Sequence, residues 1–194
     1  MGRPKEFNRE KAVRQAMVVF WEKGYEATST EDLLCAMGIG RQSMYDTFGD
    51  KHRLYLEALK CYQAEYGAAL VERLGAAVSP LSAIRELLLA VANEPANARA
   101  RGCMQVNAIT ELAQCDTEVA VMVRASKASC EALFARVVGE AKRRHEIDPS
   151  IDERAAGTFI LSTIQGMRVS AKAGSGPDAL HDIAVFALNG LKAL

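Results

Sequence analysis

Apolar residues recur every three or four positions along almost the whole chain, and no long stretch alternates apolar and polar with period two. That is the pattern of helices with one buried face. In "NREKAVRQAMVVFWEKGY" the spacing places Val13, Ala16, Met17, Phe20 and Trp21 on one side. Asn8 is a suitable N-cap and Gly24 a suitable C′ residue. The next segment, "TSTEDLLCAMG", puts Thr28 three residues before Glu31, the spacing of a capping box, with Leu33, Leu34 and Met37 as its apolar face. Gly38 breaks that helix. Arg41 to Phe48 form a third, anchored by Met44 and Phe48, and Asp50 caps a long fourth helix that begins at Lys51.

That fourth helix is predicted over residues 51–76, and further helices over 80–93, 101–114, 117–145, 150–172 and 178–193. Ser79-Pro80, Pro95 and Pro149 set the breaks, because proline does not fit a helix interior. "AGSGP" (173–177) is a flexible joint. The expected fold is all-α, about nine helices. Three short ones come first, and longer, more apolar ones follow. The natural division lies in the long fourth helix, giving residues 1–55 and 56–194 as two domains.

Composition narrows the function. Apolar residues make up 49% of the 194, enough for a substantial core, and 24 Lys/Arg balance 24 Asp/Glu. Residues 1–60 hold ten Lys/Arg against nine Asp/Glu, so bulk charge does not mark a nucleic-acid coat; a small local contact surface stays open. Cys35, Cys61, Cys103, Cys115 and Cys130 are odd in number and contain no CxxC pair, so reduced thiols are expected. The polar start "MGRPKEFNREK" lacks the apolar core of a secretory leader, and no apolar run is long enough to span a bilayer. A cytoplasmic protein that contacts no membrane is expected. His52, His145 and His181 share no metal-ligand spacing, and no HExxH, P-loop or strand–GxGxxG–helix occurs. No metal, cofactor or enzymatic activity is expected.

"RQSMYDTFGDK" (41–51) carries the sharpest chemistry. Two short helices joined by a Gly-containing turn and supported by a third make a helix-turn-helix. One face of the second helix must pack, here through Met44 and Phe48. The other presents Arg41, Gln42, Ser43, Tyr45 and Thr47. Arg pairs with guanine edges and Gln with adenine edges. Hydroxyls and helix N-termini suit phosphate oxygens, as does Lys51 at the next helix start. Asp46 is the exception, because a carboxylate there repels phosphate. Upstream, Arg3 and Lys5 flank Pro4 in a stiff basic arm suited to a minor groove.

These residues carry a family resemblance. "AMVVFWEKGYEATSTEDL" followed by "AMGIGRQSMYDTFGDKHRLYLEAL" resembles the DNA-binding domain of the TetR family of bacterial transcriptional regulators, over about residues 7–55. The match comprises Phe-x-x-x-Gly-Tyr, Thr-x-x-Glu-Asp-Leu, a Gly-Ile turn and Ser-x-Tyr-x-x-Phe-x-x-Lys. It implies DNA contacts at Arg41, Gln42, Ser43, Tyr45 and Lys51, and a phosphate contact at Thr28 or Ser29. It also implies a homodimer on a palindromic double-stranded operator, repression, and release by a small-molecule effector bound in the C-terminal region.

For the effector pocket, Cys103, Met104, Asn107, Glu111, Phe134, Phe159, Thr163 and Met167 are the candidates: a few polar groups among apolar ones. For the dimer, the last two helices offer Phe159, Ile160, Ile164, Leu180, Ile183, Ala184, Ala187, Leu188 and Leu191, which suit an intermolecular four-helix bundle. Cys103, expected in the first turn of helix 101–114 beside Arg101, offers an alternative trigger by thiol modification. A helical adaptor that binds protein through the same surface is the remaining alternative.

Overall fold

The computed structural model describes residues 7–191, in which ten helices and no strand occur. They are α1 (Arg9–Lys23), α2 (Thr30–Met37), α3 (Arg41–Phe48), α4 (Lys51–Ala76), α5 (Pro80–Ala92), α6 (Ala96–Arg101), α7 (Met104–Glu111), α8 (Thr117–Arg143), α9 (Glu153–Lys172) and α10 (Pro177–Asn189). The all-α expectation holds, with one helix more than the pattern predicted. Helix 101–114 is really two pieces. α6 closes at Gly102, whose φ of +70° favours glycine, and α7 starts at Met104.

The caps account for most boundaries. Asn8 accepts the Lys11 N–H at 2.9 Å, and Asp50 accepts the Arg53 N–H at 2.7 Å. Ser79 and Ser82 form a capping box around Pro80, which occupies the first turn of α5, where its missing N–H costs nothing. The box of α2 is shifted by one residue from the expected Thr28/Glu31. Ser29 accepts the Asp32 N–H at 3.1 Å, and the Asp32 carboxylate accepts the Ser29 N–H at 3.0 Å.

The chain divides into two compact units. The first comprises the chain up to Glu65 together with Met104–Val123, so α7 and the start of α8 join α1–α3 and the first half of α4. Its core contains Val13, Ala16, Phe20, Leu33, Met44, Phe48, Leu54, Tyr55 and Leu59, with Met104, Ala108 and Val119 from the later segment. Phe20 meets the Tyr55 ring edge-on at 5.0 Å. Each such side chain contributes about 1.5–3 kcal/mol by leaving water.

The second unit comprises Tyr66–Cys103 and Arg124–Leu194. Here α5 packs on α9 and α10, around Ile84, Leu88, Phe134, Val138, Ile160, Ile164, Met167, Leu180, Ala184 and Leu188. Gly157 lets α9 approach α8 closely: a Cβ at this position would lie 2.7 Å from the Glu131 carbonyl oxygen. Glu94 and Arg168 form a two-pronged ion pair at 2.8 and 3.1 Å, both largely shielded. No described helix is long and apolar enough to cross a membrane.

Candidate nucleic-acid interface

The third helix separates its two faces as its sequence requires. Met44 and Phe48 are buried at 0% and 3% exposure, while Arg41, Gln42, Ser43, Tyr45 and Asp46 are exposed and Thr47 is half-buried. Gly40 occupies the N-cap with no side-chain cap, so the first N–H groups of α3 lie open to an anionic oxygen beside Arg41. The two base-reading candidates are each held by a carboxylate. Arg41 pairs with Glu31 of α2, and the Gln42 amide donates to Asp46 at 2.8 Å.

The two α2 candidates differ in availability. Thr28 is 1% exposed, and its hydroxyl donates to the Gly24 carbonyl at 2.5 Å. It therefore locks the corner after α1 and is not a phosphate contact. This corrects the expectation for Thr28. Ser29 is exposed, and its hydroxyl donates to the Asp32 carboxylate at 2.8 Å. The Lys23 ammonium at 2.6 Å, with the Ser29 N–H and hydroxyl, holds the Asp32 carboxyl down at about 2. A depressed carboxyl adds stability above its ordinary 3.8, and that stability is lost as pH falls through the folded value. The melting-temperature gap between the chain and Asp32→Asn is thus expected to be widest above pH 4 and to close toward pH 2. Thermal melts across that range measure it.

Lys51 is placed by contacts the sequence reading missed. Its ammonium sits 4.4 Å from the centre of the Tyr25 ring, a cation–π contact. Burial, then Glu26, Asp50 and Asp116, push the Tyr25 hydroxyl up from its usual range, so it stays neutral. The Tyr25 N–H donates to Glu111 of α7 at 2.7 Å. Gly24 makes room for this: its φ is +84°, and a Cβ there would lie 2.3 Å from the Glu111 carboxylate. Nearby, Asn107 donates to the Trp21 carbonyl at 3.3 Å, and His52 Nε2 lies 2.5 Å from an Asp116 oxygen. Lys51, Tyr25 and Glu111 thus form one chain of contacts from the start of α4 to α7. The Gly-Tyr pair at the end of α1 was the available signal for it. Arg3 and Lys5 lie outside the described residues.

The eight effector candidates do not converge. Met104, Asn107 and Glu111 belong to the first unit, where the latter two serve the α1 corner. Cys103 (7% exposed) is buried one residue before α7 begins, not in its first turn, which does not favour a thiol trigger. Phe134 and Met167 are core, Thr163 is half-buried and Phe159 is 47% exposed. None of them lines either of two cavities in the second unit. One, of about 460 Å³, is bounded by Arg85, Leu89, Glu146, His181, Val185 and Asn189 among others. The smaller, of about 120 Å³, holds Tyr66, Arg73, Glu94 and Arg168.

The dimer candidates need a similar correction. Ile160, Ile164, Leu180, Ala184, Ala187, Leu188 and Leu191 are buried in the chain's own core and present nothing to a second copy. Phe159 and Ile183 are exposed. Each lies on the outward face of its helix; along α9, Ala155, Phe159, Ser162, Gly166 and Val169 follow 4-3-4-3 spacing. On α10, Ala179, Ile183 and Phe186, the last 82% exposed, follow the same spacing.

Comparison with known proteins identifies the family and the fold. Residues 12–58 match the bacterial regulatory proteins of the tetR family, and residues 77–185 match the tetracyclin repressor-like C-terminal domain. The chain is 35% identical over 188 residues to the HTH-type transcriptional regulator YezE of Bacillus subtilis, covering 94% of this chain and 95% of that one. It is 31% identical over 185 residues to the HTH-type transcriptional repressor ComR of Escherichia coli, covering 94% and 88%. The structure is also similar to that of a cysteine mutant of the TetR-family regulator CifR bound to 26-bp double-stranded operator DNA. The TM-score is 0.82 at 28% identity, over 98% of this chain and 100% of that one.

Proposed function

The chain belongs to the TetR family of bacterial regulatory proteins, and from that premise we propose that it is a homodimeric repressor released from a palindromic operator by a small-molecule effector. It is a DNA-binding transcriptional regulator, and its work is binding rather than catalysis. The observation that carries the reading is α3: an exposed row of Arg41, Gln42, Ser43 and Tyr45 over two fully packed anchors, beside an uncapped helix N-terminus. Arg41 and Gln42 read base edges; Ser43, Tyr45, Thr47 and Lys51 hold phosphates. We assign the DNA contacts to residues 1–55 and the effector and dimer surfaces to residues 56–194, in a protein that works in the cytoplasm.

A dimer supplies the second recognition helix that a palindrome demands. The stripe through Phe159, Ile183 and Phe186 supports self-association, because its heptad spacing suits a four-helix bundle. The effector binds in the 460 Å³ cleft, whose volume suits a small molecule. Binding favours a state whose two recognition helices no longer match the half-site spacing.

The test is fluorescence anisotropy of the purified protein on DNA tiled across the region beside its own gene, against scrambled DNA, at two salt concentrations. Tight binding to one palindromic fragment, with weaker salt-steep binding elsewhere, supports the reading. Equal weak binding to every sequence, including a random-sequence selection, refutes it. On the selected operator, Gln42→Ala is expected to lower discrimination at one base pair by about 1–3 kcal/mol while leaving non-specific affinity in place. Titrations on single-base operator variants measure that loss.

A further inference from the structure

We infer that Asp46 is a specificity-determining residue, which fixes the Gln42 amide in the one orientation that reads adenine; the inference rests on the reading of α3 as the recognition helix. A carboxylate on a DNA-facing helix is a liability, since it repels phosphate. The structure gives it a compensating task. Gln42 and Asp46 stand one helical turn apart, and the Gln42 Nε2 donates to Asp46 Oδ1 at 2.8 Å. Both residues are exposed, so the contact lies at the surface of α3, where such a pair adds little to the stability of the helix.

The chemistry of the two groups decides what the contact does. A glutamine amide has two N–H donors and one carbonyl acceptor, and its two ends are nearly the same shape. An ionised carboxylate only accepts. It therefore admits the NH2 end of Gln42 and rejects the carbonyl end. One Gln42 N–H is then committed to Asp46. The other N–H and the carbonyl oxygen remain as a donor–acceptor pair in a fixed order along the groove. Adenine presents the complement, N7 to accept and N6–H to donate, whereas guanine presents two acceptors, N7 and O6. With its orientation fixed, Gln42 puts its carbonyl against guanine O6, a repulsive pairing. A freely turning amide has no such restriction, because with both N–H groups uncommitted its NH2 end can face N7 and O6 while the carbonyl turns away.

The experiment is a random-sequence selection with the full-length chain, Gln42→Ala, Asp46→Ala and Asp46→Asn. Anisotropy titrations then compare adenine with guanine at the base pair whose preference Gln42→Ala abolishes. The unaltered chain is expected to prefer adenine there by about five- to a hundredfold, the range of a bidentate pair. Asp46→Ala and Asp46→Asn are expected to reduce that ratio to about threefold or less, since alanine provides no acceptor, while asparagine accepts from the NH2 end or donates to the carbonyl end and so holds neither orientation. Both are also expected to bind non-specific DNA a few-fold more tightly, with an unchanged melting temperature. If both variants gain affinity on every sequence and keep the adenine ratio, Asp46 is a surface charge only and the inference is wrong. If Gln42→Ala selects the same operator as the unaltered chain, the inference falls while the regulator reading stands. If the unaltered chain selects no sequence, both fall.

Discussion

Phe186→Asp is expected to leave a folded monomer that no longer holds its operator. The Phe186 side chain is 82% exposed, on the same outward face as Ala179 and Ile183 of α10. Its removal opens no cavity within the chain, so the melting temperature of dilute protein is expected to change little. In a two-fold dimer the same residue occurs twice. Burying a phenylalanine contributes about 1.5–3 kcal/mol, so losing two costs about 3–6 kcal/mol, before the penalty of placing two carboxylates in an apolar seam. Dimer dissociation is thus expected to strengthen about a thousandfold or more, since 4.1 kcal/mol is three decades. A monomer reads one half-site, and operator affinity should fall at least about a hundredfold while binding to scrambled DNA persists. Sedimentation of the variant, paired with anisotropy on operator and scrambled DNA, measures both. Phe186→Leu keeps an apolar side chain and is expected to stay dimeric. If Phe186→Asp remains dimeric, self-association uses another face.

The helical period made the elements legible, and Pro, Gly and capping residues made their ends legible. The departures have physical reasons. The sixth helix, "ANARAR", has no large apolar side chain, so it casts no periodic stripe. "TST" offers two hydroxyls in adjacent capping registers. Ser29 won because Thr28 turns its hydroxyl onto the Gly24 carbonyl and buries the rest of its side chain. In α9 and α10, apolar residues occupy more than one face. Periodicity found Phe159 and Ile183 beside the core residues without telling which face turns inward, and it passed over Phe186. The larger aliphatics, Ile160, Ile164, Leu180 and Leu188, filled the chain's own core and left Phe159 and Phe186 outside.

The candidate site divides the same way. The exposed row on α3 was legible because eight residues contain both their anchors and their contacts. What positions Lys51 was not. Asn107 and Glu111 stand one turn apart on a shared face, which local spacing did reveal. Their partners, the Trp21 carbonyl and the Tyr25 N–H, lie 86 residues earlier in the chain, and backbone groups have no sequence signature. A polar pair read as effector-facing thus serves the first unit, and the helix that carries it packs on α1.

Gly157→Ala should destabilise the protein, against the usual trend for a helix interior. Alanine in place of glycine ordinarily gains about 1 kcal/mol of helix propensity. At position 157 the added Cβ would lie 2.7 Å from the Glu131 carbonyl oxygen and 2.9 Å from the Ala135 nitrogen. Both are backbone atoms of α8, so no side chain can rotate away; one helix must move by several tenths of an ångström. Overpacking of that kind costs about 1–3 kcal/mol, which outweighs the propensity gain in most of its range. The difference is a net loss of up to about 2 kcal/mol, which lowers the melting temperature of a chain this size by up to roughly 8 °C. Gly157→Leu should lose far more and accumulate unfolded. Gly67 in α4 is the matched control. A Cβ there would meet nothing within 4 Å, so Gly67→Ala is expected to raise the melting temperature slightly. Gly157 lies two residues before Phe159, so a displaced α9 also displaces the face assigned to self-association. Gly157→Ala should therefore weaken the dimer as well, without touching an interface residue. If both alanine variants melted higher, the close approach of α8 and α9 would not be what makes glycine necessary at 157.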